Sequence, residues 1–254
     1  MMTNKPIACF CLGISLIALS TQVTAGMMGG TDAPLYRPLA TFTIGPDFVQ
    51  KGQAQTLTPL PPFQKHYTNT NASTTVADAG AFLGIERMVS DKLWVQLGVS
   101  GYVDSQISPE GHVWLFASPA FDTLSYSYNV HHTRIMAEGK FLTTFKDYQS
   151  FHPYLSWGLG AAFNQAQNYQ ETALIAGAVP TVPFANHTNT SFTWGVGAGV
   201  DYTLNPHVRL GVGYQFADLG SVSLGATPAA TNTETLSFPH LYTNQLRFQF
   251  TCVV

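Results

Sequence analysis

Residues with catalytic potential lie close together in one part of this 254-residue chain. Ser125 and Ser127 could act as nucleophiles, His131 as a base and Glu110 as an acid. Their spacing matches no known catalytic arrangement, so the sequence predicts a non-enzymatic protein. An enzyme that acts on lipids or peptides is the alternative that these side chains leave open.

Two other motifs could bind a metal ion or a nucleotide. His131 and His132 carry imidazole nitrogens, but neighbouring residues of a strand point to opposite faces and cannot share one ion. Residues 195–199 have closely spaced glycines, but no helical pattern follows them to hold a phosphate at a helix N-terminus. We therefore predict no metal site and no cofactor.

A larger polar set is spread over segments in which apolar and polar residues alternate. Alternate residues of a strand face opposite sides, so each such segment has one apolar face and one polar face. The charged, amide and imidazole side chains on the polar faces are Glu86, His132, Arg134, Glu138, Lys140, Asp201, Arg209, Gln215, Arg247 and Gln249. Because acids and bases are mixed in this set, they can pair if the strands enclose a common interior.

The alternation predicts eight strands, at 40–45, 81–86, 93–100, 132–141, 155–164, 192–202, 208–216 and 243–252. Long and short connections alternate along the chain. The long ones are 50–73, 104–123, 166–187 and 219–238, and the short ones are 90–92, 145–150 and 204–206. This order is typical of outer-membrane barrels, which have long external loops and short periplasmic turns.

The composition favours a membrane protein built from strands. Only 10% of the residues are charged, whereas a soluble domain typically carries about 25%. No segment after residue 25 has the roughly 18 consecutive apolar residues of a spanning helix. Since lipid cannot satisfy backbone hydrogen bonds, a spanning sheet must close into a barrel. A soluble β-sandwich is the alternative.

A net charge of −3 and the lack of a basic run exclude nucleic acid as a partner.

The N-terminus has the features of a secretory signal peptide. Lys5 precedes an apolar run at 7–19, and small residues precede a predicted cleavage point after Ala25. An uncleaved membrane anchor is the alternative. The predicted organisation is a signal peptide at 1–25, an N-terminal segment at 26–38 and an outer-membrane β-barrel at 39–254.

Four stretches resemble the small eight-stranded outer-membrane barrels grouped with the OmpA transmembrane domain and the Opa-like adhesins. They are GAFLGIE at 80–86, GLGAAF at 158–163, GVGY at 211–214 and NQLRFQF at 244–250. The resemblance covers roughly 39–254. It implies an all-β, eight-stranded antiparallel transmembrane barrel in the bacterial outer membrane, surrounded by lipid, whose external loops bind host cells or other surface ligands.

The interior of an eight-stranded barrel is just wide enough for side chains to fill. The ten polar residues therefore predict a plugged lumen, and the protein is expected to support the envelope and to interact or adhere through its loops. A narrow channel for small or hydrophobic solutes is the alternative. The apolar loop at 166–187 favours adhesion, self-association or a lid over the mouth, and a loop that folds back over the lumen and binds nothing is the alternative.

Aromatic residues near the strand ends are predicted to form the interfacial girdles of a membrane barrel. They are Trp94, Tyr102, Tyr154, Tyr202 and Phe248.

Overall fold

A computed structural model describes residues 36–50, 52–60, 62–70, 73–145, 150–180, 184–227 and 234–254. The predicted signal peptide and most of the predicted N-terminal segment lie outside the described residues. The described strands are β1 (Arg37–Gln50), β2 (Gln55–Leu60), β3 (Phe63–Tyr67), β4 (Ser73–Ser90), β5 (Leu93–Asp104), β6 (Glu110–Leu115), β7 (Asp122–Thr143), β8 (Phe151–Ala173), β9 (His187–Asn205), β10 (Val208–Asp218), β11 (Val222–Ser223), β12 (Ser237–Phe238) and β13 (Tyr242–Val253).

Eight of the described strands form a closed antiparallel ring. Its order is β1, β4, β5, β7, β8, β9, β10, β13 and back to β1. The prediction of an eight-stranded antiparallel barrel is therefore confirmed. We call the end with the tight connections after β4, β7 and β9 the short-turn end, and the opposite end the long-loop end.

The two faces of the ring differ in the way that the alternation predicts. Leu83, Leu155 and Phe192 project outward and are about two-thirds exposed, at 66%, 65% and 65%. The residues between the outward positions face the interior, where side chains such as Thr43 and Glu86 are buried. An apolar outer wall around a polar interior is what a barrel in lipid requires.

No described helix is long and apolar enough to cross a membrane.

Parts of the long connections are folded into strands, where the sequence pattern predicts loops. β2 pairs with β3, β3 with β6 and β6 with β7. β7 and β8 remain paired as far as Leu124 and Ala173, whereas β9 leaves β8 at the pair Ala166 and His187. We call β2, β3, β6 and the segments 122–130 and 166–173 the β-extension.

An apolar core fills the β-extension and the adjoining long-loop end of the ring. Aromatic side chains supply much of it, including Tyr67, Tyr126, Tyr128, Tyr169 and Phe184. Periodicity did not reveal these strands because they are short and because their sequences, such as FQKHY in β3, do not alternate apolar with polar residues. Burial of their aromatic residues against neighbouring strands stabilises them instead.

Closure of the ring can be tested with a disulfide between the first and last strands. Thr41 and Thr251 are cross-strand partners whose hydroxyl oxygens lie 2.8 Å apart in the interior. In a background whose native cysteines are serines, the variant T41C/T251C should form a disulfide and run faster on a non-reducing gel after boiling. The single variant T41C is the control. An open sheet would leave the two cysteines unbridged.

Candidate functional site

The structure places all ten polar residues of the predicted set on the inner face of the ring. Seven are buried and three are partly buried. The buried ones are Glu86, His132, Arg134, Asp201, Arg209, Gln215 and Arg247, and the partly buried ones are Glu138, Lys140 and Gln249. They lie in a few clusters, each of which joins side chains from several strands.

The cluster nearest the short-turn end is centred on Glu86 of β4. Its carboxylate accepts hydrogen bonds from Arg37 at 2.5 Å and from the side-chain amide of Gln96 at 2.9 Å. Arg209 of β10 also donates to both carboxylate oxygens, one of them at 3.0 Å. The carboxylate is fully buried, so two guanidinium groups and an amide replace the water it would bind when exposed.

A second cluster is centred on Lys140 of β7. Its ammonium group donates to the two oxygens of Asp201 at 2.7 and 3.0 Å and to Gln249 at 2.8 Å. The same nitrogen lies 3.7 Å from the ring centre of Tyr154, a cation–π contact. Four different strands are therefore joined at one charged group.

Tyr102 occupies the middle of the lumen. The guanidinium carbons of Arg134 and Arg247 lie 4.6 and 4.4 Å from its ring centre. Its hydroxyl donates to Glu138 at 3.0 Å and accepts from Arg247 at 3.2 Å. One phenol ring thus stabilises two cations.

Towards the long-loop end, Arg134 lies among carboxylates. It donates to Asp78 at 3.2 Å and to Gln245 at 3.2 Å, and its Nη1 lies 3.9 Å from Asp104. Gln245 in turn donates to Asp47 at 2.9 Å. With Asp47, Asp78 and Asp104, this cluster has more carboxylates than arginines.

His132 extends this cluster towards the mouth. Its Nε2 lies 3.8 Å from Asp104, and its Nδ1 bonds Asn164. Asn164 donates to the backbone carbonyl oxygens of Leu219 and Ser221, so the polar network is tied to the first residues after β10.

The girdle prediction is wrong for Tyr102 and Tyr154, which are only 3% and 5% exposed and point into the lumen. Both fall on the polar faces that the alternation defines, Tyr102 in line with Ser100 and Tyr154 in line with Ser156. Asp78 and Asp104 were missed because the strands extend further than predicted. Continuing the two-residue period along β4 and β5 would have found both residues.

The remaining lumen space is small. Gly195 leaves room for Gln215, since a Cβ atom at Gly195 would lie 2.3 Å from the amide nitrogen of Gln215. A cavity of about 30 Å³, lined by residues that include Tyr102, Lys140 and Arg247, has space for about one or two water molecules. Side chains therefore fill most of the interior.

A buried ion pair joins β3 to β8 within the β-extension. Lys65 of β3 donates to Glu171 of β8 at 3.1 and 3.2 Å, and Tyr169 donates to the same carboxylate at 2.8 Å. Burial raises the pKa of the Tyr67 hydroxyl, and the nearby charge of Glu171 adds to this effect. That hydroxyl therefore stays protonated among the aromatic side chains of the core.

Three of the four residues with catalytic potential, Ser125, Ser127 and Glu110, lie on the outer face of the β-extension. His131 lies just beyond this segment of β7, where it pairs with Gln165 of β8. Glu110 is the cross-strand partner of Ser127, and His112 that of Ser125. His112 bonds the carboxylate of Asp122 at 2.9 Å, and no hydrogen bond joins either serine hydroxyl to a histidine among the described residues. The described part of the chain also has no group of three or more His, Cys, Asp or Glu side chains that could hold a metal ion.

Residues 60–251 match the family model described as "Outer membrane protein beta-barrel domain". The chain belongs to this family. As a member of the family of outer-membrane β-barrels, it lies in the bacterial outer membrane, with lipid around its apolar wall. No curated protein sequence matches the chain.

The chain is also similar to several solved structures, at low sequence identity. Neisserial surface protein A is 12% identical, with a TM-score of 0.45, and the match covers 85% of this chain and 96% of that one. OprG of Pseudomonas aeruginosa is 14% identical, with a TM-score of 0.39, and coverage of 84% and 95%. The outer membrane protease OmpT of Escherichia coli is 9% identical, with a TM-score of 0.40, and coverage of 85% and 95%.

Replacing the central carboxylate of the first cluster should destabilise this barrel. In Glu86→Gln, two arginines lose a buried counter-charge, so the free energy of unfolding should fall by about 3 kcal/mol or more. Urea unfolding in lipid, followed by tryptophan fluorescence, measures the change. Asp91→Asn, at an exposed position between β4 and β5, is the control and should change little. Equal stability of the two variants would show that Glu86 is not the electrostatic centre of the cluster.

Proposed function

We propose that this protein is a non-enzymatic outer-membrane barrel with a plugged lumen, which supports the envelope and attaches to other surfaces through its long-loop end. The main support is the β-extension. Segments that could have been mobile loops are held as a sheet with a buried core, which presents a fixed surface beyond the ring.

The side chains inside the ring support the proposal that the lumen is plugged. The charged side chains of the predicted set have partners of opposite charge or hydrogen-bonding partners from other strands, and an apolar core lies above them at the long-loop end. A conducting path would require several of these buried pairs to separate together, and each separation leaves a charge in a poorly solvated interior. Because a barrel with a filled lumen spans the membrane without transporting solute, we assign it a role in supporting the envelope.

The charges of the long-loop end indicate what it can attach to. Lys65 is the only described lysine or arginine of the β-extension, and it is buried in the ion pair with Glu171. The exposed ionisable side chains there include Glu110, His112 and Asp122. Among the described residues of the β-extension, a strongly anionic partner would find no exposed arginine or lysine, so we propose partners that are neutral or basic.

A plugged lumen makes a direct prediction for conductance. The purified full-length protein in a planar bilayer should give no reproducible current steps, whereas R134A/R247A should give them because two long side chains are removed from the middle of the lumen. Heat-dependent gel mobility confirms that each sample is folded. Regular steps from the unaltered protein, changed by either single replacement, would support the narrow-channel alternative.

Attachment through the β-extension can be tested by adding bulk to its outer face. Ser127 and Thr172 lie on that face, so S127R/T172R should lower attachment of bacteria to host cells several-fold without changing the amount of protein at the surface. Ser90→Arg, exposed at the short-turn end, is the matched control. Unchanged attachment by S127R/T172R would remove this face from the proposed function.

A further inference from the structure

The end of the β-extension that lies furthest from the ring exposes large apolar side chains. We call residues 62–64, 116–121 and 174–180 the distal tip. Phe63 and Gln64 are the first two residues of β3, and the other residues follow or precede the ends of β2, β3, β6, β7 and β8 that lie furthest from the ring. The exposed apolar side chains are Phe63 (57%), Phe116 (56%), Phe121 (49%), Leu174 (46%), Ile175 (53%) and Val179 (80%).

The three phenylalanines of the distal tip form a fixed cluster. The ring of Phe116 meets those of Phe63 and Phe121 edge-on, with centroid distances of 6.0 and 5.6 Å. Such contacts normally belong to a buried core, yet about half of each side chain remains exposed. The cluster is therefore organised before any partner covers it.

The backbone holds Phe116 in an unfavourable conformation. Phe116 and Ala117 have φ angles of 56° and 51°, in the left-handed region that bulky side chains seldom adopt. Hydrogen bonds from the Phe116 amide to Gln64 at 2.8 Å and from the Ser118 amide to Leu115 at 3.2 Å fix the turn. Local strain that surrounding structure maintains is typical of functional positions.

The chemistry of the distal tip fits a lipid bilayer better than a protein. Its residues include no Asp, Glu, Lys or Arg, and the polar side chains are Gln64 and Ser118. A protein interface of standard size combines an apolar centre with a polar rim that makes about ten hydrogen bonds. A bilayer needs no such rim, and its hydrocarbon accepts apolar side chains from separate turns.

We propose that the distal tip inserts into a second lipid bilayer, opposite the membrane that the barrel spans. The inference rests on the proposed attachment function and names the surface that this end binds. Because the tip carries no charge, it should bind bilayers of zwitterionic lipid and should not depend on anionic headgroups or on low salt. The partner is the membrane itself.

Trp114 provides a reporter for this insertion. It is close in the chain to Phe116, and its ring stacks on His66 at 5.1 Å. The other three tryptophans, Trp94, Trp157 and Trp194, lie in strands of the ring. Full-length protein in nanodiscs would be mixed with phosphatidylcholine vesicles that contain brominated phosphatidylcholine. Tryptophan fluorescence should be quenched, and Trp114→Phe should abolish the quenching.

The phenylalanine cluster is tested by F116S/F121S. Vesicle binding, measured by co-flotation, should weaken by about 10-fold or more because two apolar side chains no longer enter the bilayer. The matched control is F145S/F151S, which replaces two exposed phenylalanines at the short-turn end, of 57% and 46% exposure, and should bind as before. Heat-dependent gel mobility shows that each variant is folded.

Three results would overturn the inference. One is the absence of quenching, the second is binding that requires anionic lipid and disappears in salt, and the third is pairing of nanodiscs through the tip, which would identify a second copy as the occupant. If vesicles do not bind but S127R/T172R still lowers cell attachment, the attachment function stands and the lipid inference fails. If neither S127R/T172R nor F116S/F121S lowers cell attachment, the attachment function and the lipid inference both fail.

Discussion

A sheet that crosses lipid cannot leave backbone N–H and C=O groups unpaired, and the pairing of β1 with β13 meets this requirement. Closing the ring with eight strands makes the interior narrow, so side chains fill it. Charged residues in such an interior must have partners, as Glu86 has with Arg37 and Arg209. The filled lumen thus follows from the closure of the sheet.

The β-extension depends on the same ring. β7 and β8 leave the barrel still paired with each other, and this pair is the base on which β6, β3 and β2 assemble. A pair of strands alone would be marginally stable in water, but the aromatic core and the buried pair of Lys65 and Glu171 hold the sheet in place. The barrel therefore positions the surface that we propose for attachment.

The sequence predicted the ring because a two-residue period is independent of distant contacts, and the same period assigns the ten polar residues to one face of their strands. It could not predict which residues would pair, since Lys140 and Asp201 meet only after several strands have closed into a ring. It assigned Tyr102 to the wrong environment because an aromatic residue near a strand end suits both an interface and a lumen. β3 and β6 were missed because neighbouring strands, more than their own sequences, stabilise them.

The contact between Thr41 and Thr251 joins residues that are 210 positions apart. Long sequence separations slow folding, because the entropy of a large loop is lost before the contact that compensates for it is made. Neither edge of the sheet can be covered until the last strand has been synthesised and delivered. We therefore expect the nascent chain to remain dependent on chaperones from export to insertion, and loss of the last strand to prevent assembly altogether.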